Sequence, residues 1–378
     1  MLHPSAARST SPQVGKSSSF TYANPRVIHW GRGSVAHLEP ELARLKADSV
    51  ALVTTRSLLP AVEALPIKAM ATVVIAQHAP MSQIDAGVEE CAGARGIVSY
   101  GGGSAIDAAK IISVRLAGGG SPPPHVAIPT TLSVAELAAG AGYTNEGGDK
   151  AGMRDPRLMV ESVIYDADLT LATPMQLWLS TGVRALDHAV EGFLAPGEHP
   201  FNDVMALEAI RRLFDSLPRA KAAPNDADVR TENQLAAWFS FTLPSASAGG
   251  LSHMMGKQIG ARHGIPHGVT SCLLLPHVMR YLARSMPNRM AILSETMGGN
   301  KVGAMIGARA CIGFDAAAQT YTVAVAWQGA TTTFSPASWP SANNPAIARN
   351  CALNLYGTGA LDAQRRVLWT TIMVASLT

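Results

Sequence analysis

Residues 96–110 read GIVSYGGGSAIDAAK: a short apolar run empties into three consecutive glycines, and a helical pattern starts at once. A strand that turns through glycine straight into a helix is the repeating unit of a parallel α/β sheet, which leaves few folds open. Gly101, Gly102 and Gly103 let the backbone approach a pyrophosphate closely, and the N–H groups at the start of the next helix favour its charge. Ser104 and Asp107 stand at capping-box spacing, which predicts a helix beginning at Ser104. The run is neither GxGxxG nor GxxxxGK[ST], so it reads as a nucleotide loop but not as a kinase-type P-loop.

The flanking sequence repeats the pattern. Strands are expected over 26–30, 49–54, 71–76 and 96–100, with helices over 35–45 and 81–94 between them. Residues 1–19 are rich in Ser and Pro and read as a disordered tail. After about residue 174 helical periods replace strand-like runs, so a boundary is expected at Ala172-Thr-Pro174, between an α/β dinucleotide-binding domain (20–174) and a helical domain (175–378).

Two pairs of titratable residues interrupt the apolar helical stretches. Arg184 and His188 are four apart, as are His253 and Lys257, so each pair shares one helical face. Their neighbours are small and apolar (Leu179, Val183, Leu186; Gly250, Leu251, Ile259), a setting in which titratable groups mark a site more often than a solvated face. His267 follows in Pro266-His-Gly268. His263 and His277 read as turn and helix-end residues, and Met254-Met255 as core.

Composition narrows the function classes. With 47% hydrophobic and 15% charged residues and a net charge of +3, the chain reads as a globular protein without the basic footprint of a nucleic-acid binder. No apolar run reaches the length of a bilayer crossing, so a cytoplasmic protein without membrane contact is expected. Cys91, Cys272, Cys311 and Cys351 are scattered without CxxC spacing and are expected reduced and buried.

In combination, Gly101 to Lys110, Ile128-Pro-Thr-Thr131, the Gly182 to Gly192 segment (GVRALDHAVEG), Gly250-Leu-Ser-His253, Pro266-His-Gly268 and Leu275-Pro-His277 resemble the iron-containing (group III) alcohol dehydrogenase superfamily. The resemblance spans about residues 20–290. It implies a parallel-sheet dinucleotide-binding domain, an all-α second domain in a dehydroquinate synthase-like architecture, an active site in the cleft between them, and a homodimer. It also implies cofactor contacts at Gly101, Gly102, Gly103, Ser104, Asp107, Lys110, Thr130 and Thr131.

In metal-dependent members an Asp, a His four residues later and two further histidines hold the cation. The histidines carry over to His188, His253 and His267, but Arg184 occupies the Asp position. A guanidinium there reverses the local charge, which disfavours a cation and favours carboxylates, so no metal is expected. That departure, with Gly152-Met-Arg-Asp-Pro156 and Val163-Ile-Tyr-Asp166, resembles the maleylacetate reductase branch, which reduces the carbon–carbon double bond of a dicarboxylic oxo acid with NADH or NADPH in aromatic-compound degradation.

On that reading Arg184 holds a substrate carboxylate, His253 or Lys257 serves the enolate oxygen or the proton, and His188 and His267 hydrogen-bond substrate, with Glu191 orienting His188. Two other readings stay open: an alcohol dehydrogenase using Fe²⁺ or Zn²⁺ on His188, His253 and His267, and an inactive nucleotide-binding member. Where an acid at the end of the second strand would repel a 2′-phosphate, Thr54-Thr55-Arg56 stands; Thr55 is a candidate cofactor contact and NADPH is expected to be accepted beside NADH.

Residues 312–378 break the pattern. Only five of these 67 residues are charged (Asp315, Arg349, Asp362, Arg365, Arg366), and the charged amphipathic helices implied by the resemblance are missing. A shifted reading frame would produce this composition.

Overall fold

In a computed structural model of the chain, residues 25–195, 199–241, 250–263, 265–283 and 285–298 are described, together with the backbone of four strands further on. The N-terminal part is a six-stranded parallel sheet built from β1 (Val27–Trp30), β2 (Val50–Thr54), β3 (Ala71–Val74), β4 (Gly96–Gly101), β5 (His125–Pro129) and β8 (Ser162–Tyr165), with β6 (Gly140–Thr144) and β7 (Lys150–Arg154) pairing as a separate antiparallel hairpin. The strand order is β1-β8-β5-β4-β2-β3.

Every residue of β2, β4, β5 and β8 is buried, as expected for central parallel strands covered on both faces. The covering helices include α1 (Leu38–Arg44), α2 (Met81–Glu90) and α3 (Gly103–Leu116). From β2 the chain moves outward to β3, then crosses back to β4 on the other side of β2. The order of the sheet therefore reverses between β2 and β4, and the carboxyl ends of those strands form the crevice where open α/β sheets bind ligands. Thr54 and Tyr100 are register partners there.

The expected elements are present with modest end shifts. The helix anticipated over 35–45 divides into a 3₁₀ turn at 34–37 and α1, and α2 stops at Glu90 rather than at Ala94.

The second part is helical: α4 (Met175–Phe193), α5 (Pro200–Ala222), α6 (Ala227–Phe239), α7 (Leu251–His263), α8 (His267–Leu282) and α9 (Pro287–Thr296). α4 is its axis. Trp178, Val183, Leu186 and Val190 are buried against Ile210, Leu213 and Leu217 of α5, with Leu275 of α8 and Leu293 of α9 completing the core. Leu132, Val134 and Leu137, from the loop after β5, belong to the same core, so that loop is packed between the two parts. The Leu132 N–H donates to Thr181 Oγ1 on α4 at 3.1 Å.

The four later strands, β9 (Arg309–Asp315), β10 (Thr320–Trp327), β11 (Ala330–Phe334) and β12 (Val367–Trp369), form an antiparallel sheet. The tail at 1–19 lies outside the described residues, as do the side chains on which the frame-shift reading of 312–378 depends. Cys91 and Cys272 are buried thiols, and burial pushes the Cys91 thiol up to about 11.

Candidate active site

α4 carries the apolar core on most of its circumference and a stripe of charge on the rest. Arg184, Asp187, His188 and Glu191 are all buried at three- and four-residue spacing, so they share the face turned toward α7 and α8. Burial pushes the carboxyls up, Asp187 to about 6 and Glu191 to about 7. The Glu191 oxygens accept the N–H groups of Ser252 and His253, the latter at 3.0 Å, and Asp187 Oδ2 accepts the Ser252 hydroxyl at 3.1 Å. Glu191 thus caps the start of α7, where the positive end of the helix dipole suits a carboxylate, and does not orient His188 as expected. Gly250 makes room for it: a Cβ there would collide with the Glu191 carboxylate.

Three imidazoles cluster at this stripe, one of them its own His188. The His253 ring centroid is 5.5 Å from that of His188 and 5.1 Å from that of His267. Burial and the neighbouring cations keep all three neutral: His253 is lowered to about 3 and His267 to about 2, with His188 also well below the usual range. Arg184 donates from Nη2 to His253 Nδ1 at 2.6 Å and from Nη1 to Ser271 Oγ at 3.2 Å. Arg184 therefore ties α4 to α7 and α8, with one N–H of each terminal nitrogen given to a protein partner.

The site is electropositive. His267 is depressed first by burial, then by the charges of Arg184, Lys257 and Lys150, with His253 contributing between them. Lys257 is exposed on α7. Lys150 was not anticipated: it begins β7 and acts on His267 from the N-terminal part, across the cleft. No local pattern in the sequence signals it, because the effect of its charge on His267 depends on the tertiary fold.

The glycine loop is built as a phosphate cradle, with different details from those expected. α3 begins at Gly103 behind Gly102, and no side chain caps it. The capping box is therefore not formed. The Ser104 hydroxyl accepts the His78 N–H at 2.9 Å, and Asp107, raised to about 6 by burial, accepts the Gly142 N–H at 2.9 Å. Lys110 is also corrected: its Nζ donates to the carbonyls of Ala135, Ala138 (2.7 Å) and Gly140 (3.0 Å), so it straps the loop after β5 and does not face a cofactor.

Gly102 has no room for a side chain, since a Cβ would lie 2.9 Å from Thr131 Cγ2. Among the described residues the buried hydroxyls of Thr131 and Ser133 have no hydrogen-bond partner, and they lie beside Gly102 and Gly103. Thr130 is buried, its N–H bonded to Gly101 O. Unpartnered hydroxyls, glycine backbone and an uncapped helix start fit the pyrophosphate of NAD(P). Ser133 escaped the sequence reading, although it stands two residues beyond Thr131. Thr55 follows β2, its hydroxyl 3.2 Å from Ser57 Oγ, and Arg56 is exposed.

Two other expectations change. Met254 is 52% exposed and is not core. His277 lies inside α8, buried, lowered to about 4 by burial. His263 stands at the end of α7, as expected of a helix-end residue.

Residues 25–167 match the description "iron-containing alcohol dehydrogenase", and residues 178–320 match "Fe-containing alcohol dehydrogenase family, C-terminal". The chain belongs to the iron-containing alcohol dehydrogenase family. It is similar to the maleylacetate reductases of Rhizobium sp. (strain MTP-10005), 31% identical over 74% of this chain and 80% of that protein, and of Pseudomonas aeruginosa, 33% identical over 73% and 79%. The crystal structure of maleylacetate reductase from Agrobacterium tumefaciens superposes with a TM-score of 0.69 at 32% identity, covering 76% of this chain and 83% of that one. The chain is accordingly an NAD(P)-dependent oxidoreductase.

Membership corrects one expectation outright. The family is iron-containing, which overturns the expectation that no metal is involved. In this chain the nitrogens offered to an ion are His188 Nδ1 and His267 Nε2, both buried and without a hydrogen-bond partner among the described residues, but Arg184 already holds Nδ1 of the third ring. Among the described residues no group of three or more His, Cys, Asp or Glu side chains is arranged to hold a metal. As placed, these side chains do not fit the ion, and no chemical step below passes through it. Among the described residues no helix is long and apolar enough to cross a membrane.

Proposed function

We propose that this protein is a reductase of the maleylacetate reductase type, transferring hydride from NADH or NADPH to a small dicarboxylic oxo acid in the degradation of aromatic compounds, and working as a homodimer. The observation that carries the reading is the electropositive cleft: three neutral imidazoles lie together, the charges of Arg184, Lys257 and Lys150 all act on His267, and the nearby acids Asp187 and Glu191 are pushed toward their neutral forms. Such a cleft suits a substrate with two carboxylates, and Lys150 and Lys257 are exposed cations that could meet them. The similarity to maleylacetate reductases supports the same substrate class.

The glycine loop, Thr131 and Ser133 would hold the cofactor at the β2–β4 crevice. Bound there, the cofactor would supply a hydride to the alkene carbon β to the ketone; the resulting enolate would carry its charge on the carbonyl oxygen and take a proton from water at the α carbon.

A second reading has one observation in its favour: the two unpartnered imidazole nitrogens could serve an alcohol dehydrogenase's metal once Arg184 released His253. The test is NADH and NADPH oxidation at 340 nm with maleylacetate, beside NAD(P)⁺ reduction with primary alcohols, each with added Fe²⁺ or Zn²⁺ and after chelation. Turnover of maleylacetate sustains the proposal. Alcohol oxidation alone, restored by Fe²⁺ or Zn²⁺, overturns it.

A further inference from the structure

The contact between Arg184 and His253 fixes where a proton sits. A guanidinium has five N–H donors and no acceptor, so the nitrogen it meets must offer a lone pair. At 2.6 Å from Arg184 Nη2, His253 Nδ1 is that acceptor. A neutral imidazole that accepts at one nitrogen carries its proton on the other, and the two rings beside it are neutral as well. His253 is half-buried, its backbone N–H is fixed by Glu191, and Arg184 is held from its far side by Ser271 Oγ at 3.2 Å.

We propose that Arg184 is a positioning residue that locks His253 in its Nε2–H tautomer, and that this N–H is the hydrogen-bond donor for the substrate oxygen that becomes negative during hydride transfer. The mechanistic half rests on the reductase reading above; the tautomer does not. No proton leaves His253 in this step: the N–H···O bond shortens as the enolate forms, and the carbon-bound proton comes from water. A neutral donor aimed at developing charge is the usual form of such stabilisation, and losing one costs about 100-fold in kcat. The arrangement also shifts the substrate carboxylates toward Lys150 and Lys257, because Arg184 is buried and bonded to His253 and Ser271 whereas both lysines are exposed.

The test is ¹⁵N NMR of histidine-labelled full-length protein, with His253 identified by its absence from the His253→Gln spectrum. The expected spectrum shows a bare, pyridine-type Nδ1 and a protonated Nε2; Arg184→Met mixes the tautomers and lowers kcat about 100-fold with a smaller change in KM. His253→Gln, whose amide N–H replaces Nε2–H, retains more activity than His253→Ala. A protonated Nδ1 on His253 in the wild-type protein overturns the proposal whatever the substrate. A wild-type protein that shows the expected tautomer but turns over no dicarboxylate overturns the substrate reading and sustains the role of Arg184. If Arg184→Met does not fold, Arg184→Lys is the second variant: its single ammonium also donates to Nδ1, so it keeps the tautomer, and a changed tautomer there counts against the assignment.

Discussion

Lys110 separates two accounts of the nucleotide loop. Read from the sequence, it is a cofactor contact; in the fold its ammonium is buried and donates to the carbonyls of Ala135, Ala138 and Gly140. Lys110→Met keeps most of the aliphatic volume and removes all three donors, leaving buried carbonyls without them. A hydrogen bond to a charged group contributes about 1.5–3 kcal/mol, but the three share one ammonium whose desolvation is relieved on substitution, so a net loss of about 4 kcal/mol is expected. For a unit of this size that corresponds to a fall in Tm of roughly 10 °C. Thermal unfolding followed by circular dichroism, with the KM for NADH measured well below the transition, gives both numbers. A variant as stable as wild type with a raised KM for NADH would refute the strap and restore Lys110 to the cofactor.

Two further outcomes follow from the same geometry. Gly102→Ala places a methyl 2.9 Å from Thr131 Cγ2 and should weaken NADH binding about tenfold, measured by fluorescence titration, with partial recovery in Gly102→Ala/Thr131→Ser, which lacks that carbon. Glu41 is buried and held at about 2, first by its hydrogen bond with Arg44 and also by Ser162. A depressed carboxyl stabilises the fold above its unfolded pKa and loses that contribution as pH falls through the folded one. Urea midpoints should therefore drop between about pH 4.5 and 2 in the wild type and less steeply in Glu41→Gln.

Much of the architecture was legible because the signals are local. Apolar runs of strand length, the break at Gly101–Gly103 and the change of period after Pro174 follow from backbone propensities that neighbouring residues set among themselves. The spacing of Arg184 with His188 and of His253 with Lys257 likewise placed charge on defined helical faces. What the sequence could not carry is partnership. Hydrogen-bond capacity is a property of a residue, whereas its use depends on what the fold brings within 3 Å.

Hence Ser104 and Asp107, spaced to cap α3, turn instead to His78 and Gly142, and Lys110 turns from the cofactor loop to three carbonyls. Hence also Glu191 caps α7 across 61 residues of chain, and the charge of Lys150, on a hairpin of the other part, acts on His267. The residue types and their order determined a parallel nucleotide-binding sheet and a helix bearing Arg184 and His188. Only the packing of α4, α7 and α8 decided that Arg184 faces His253 rather than open cleft, because long-range contacts are set by the whole core at once and not by any single stretch of it.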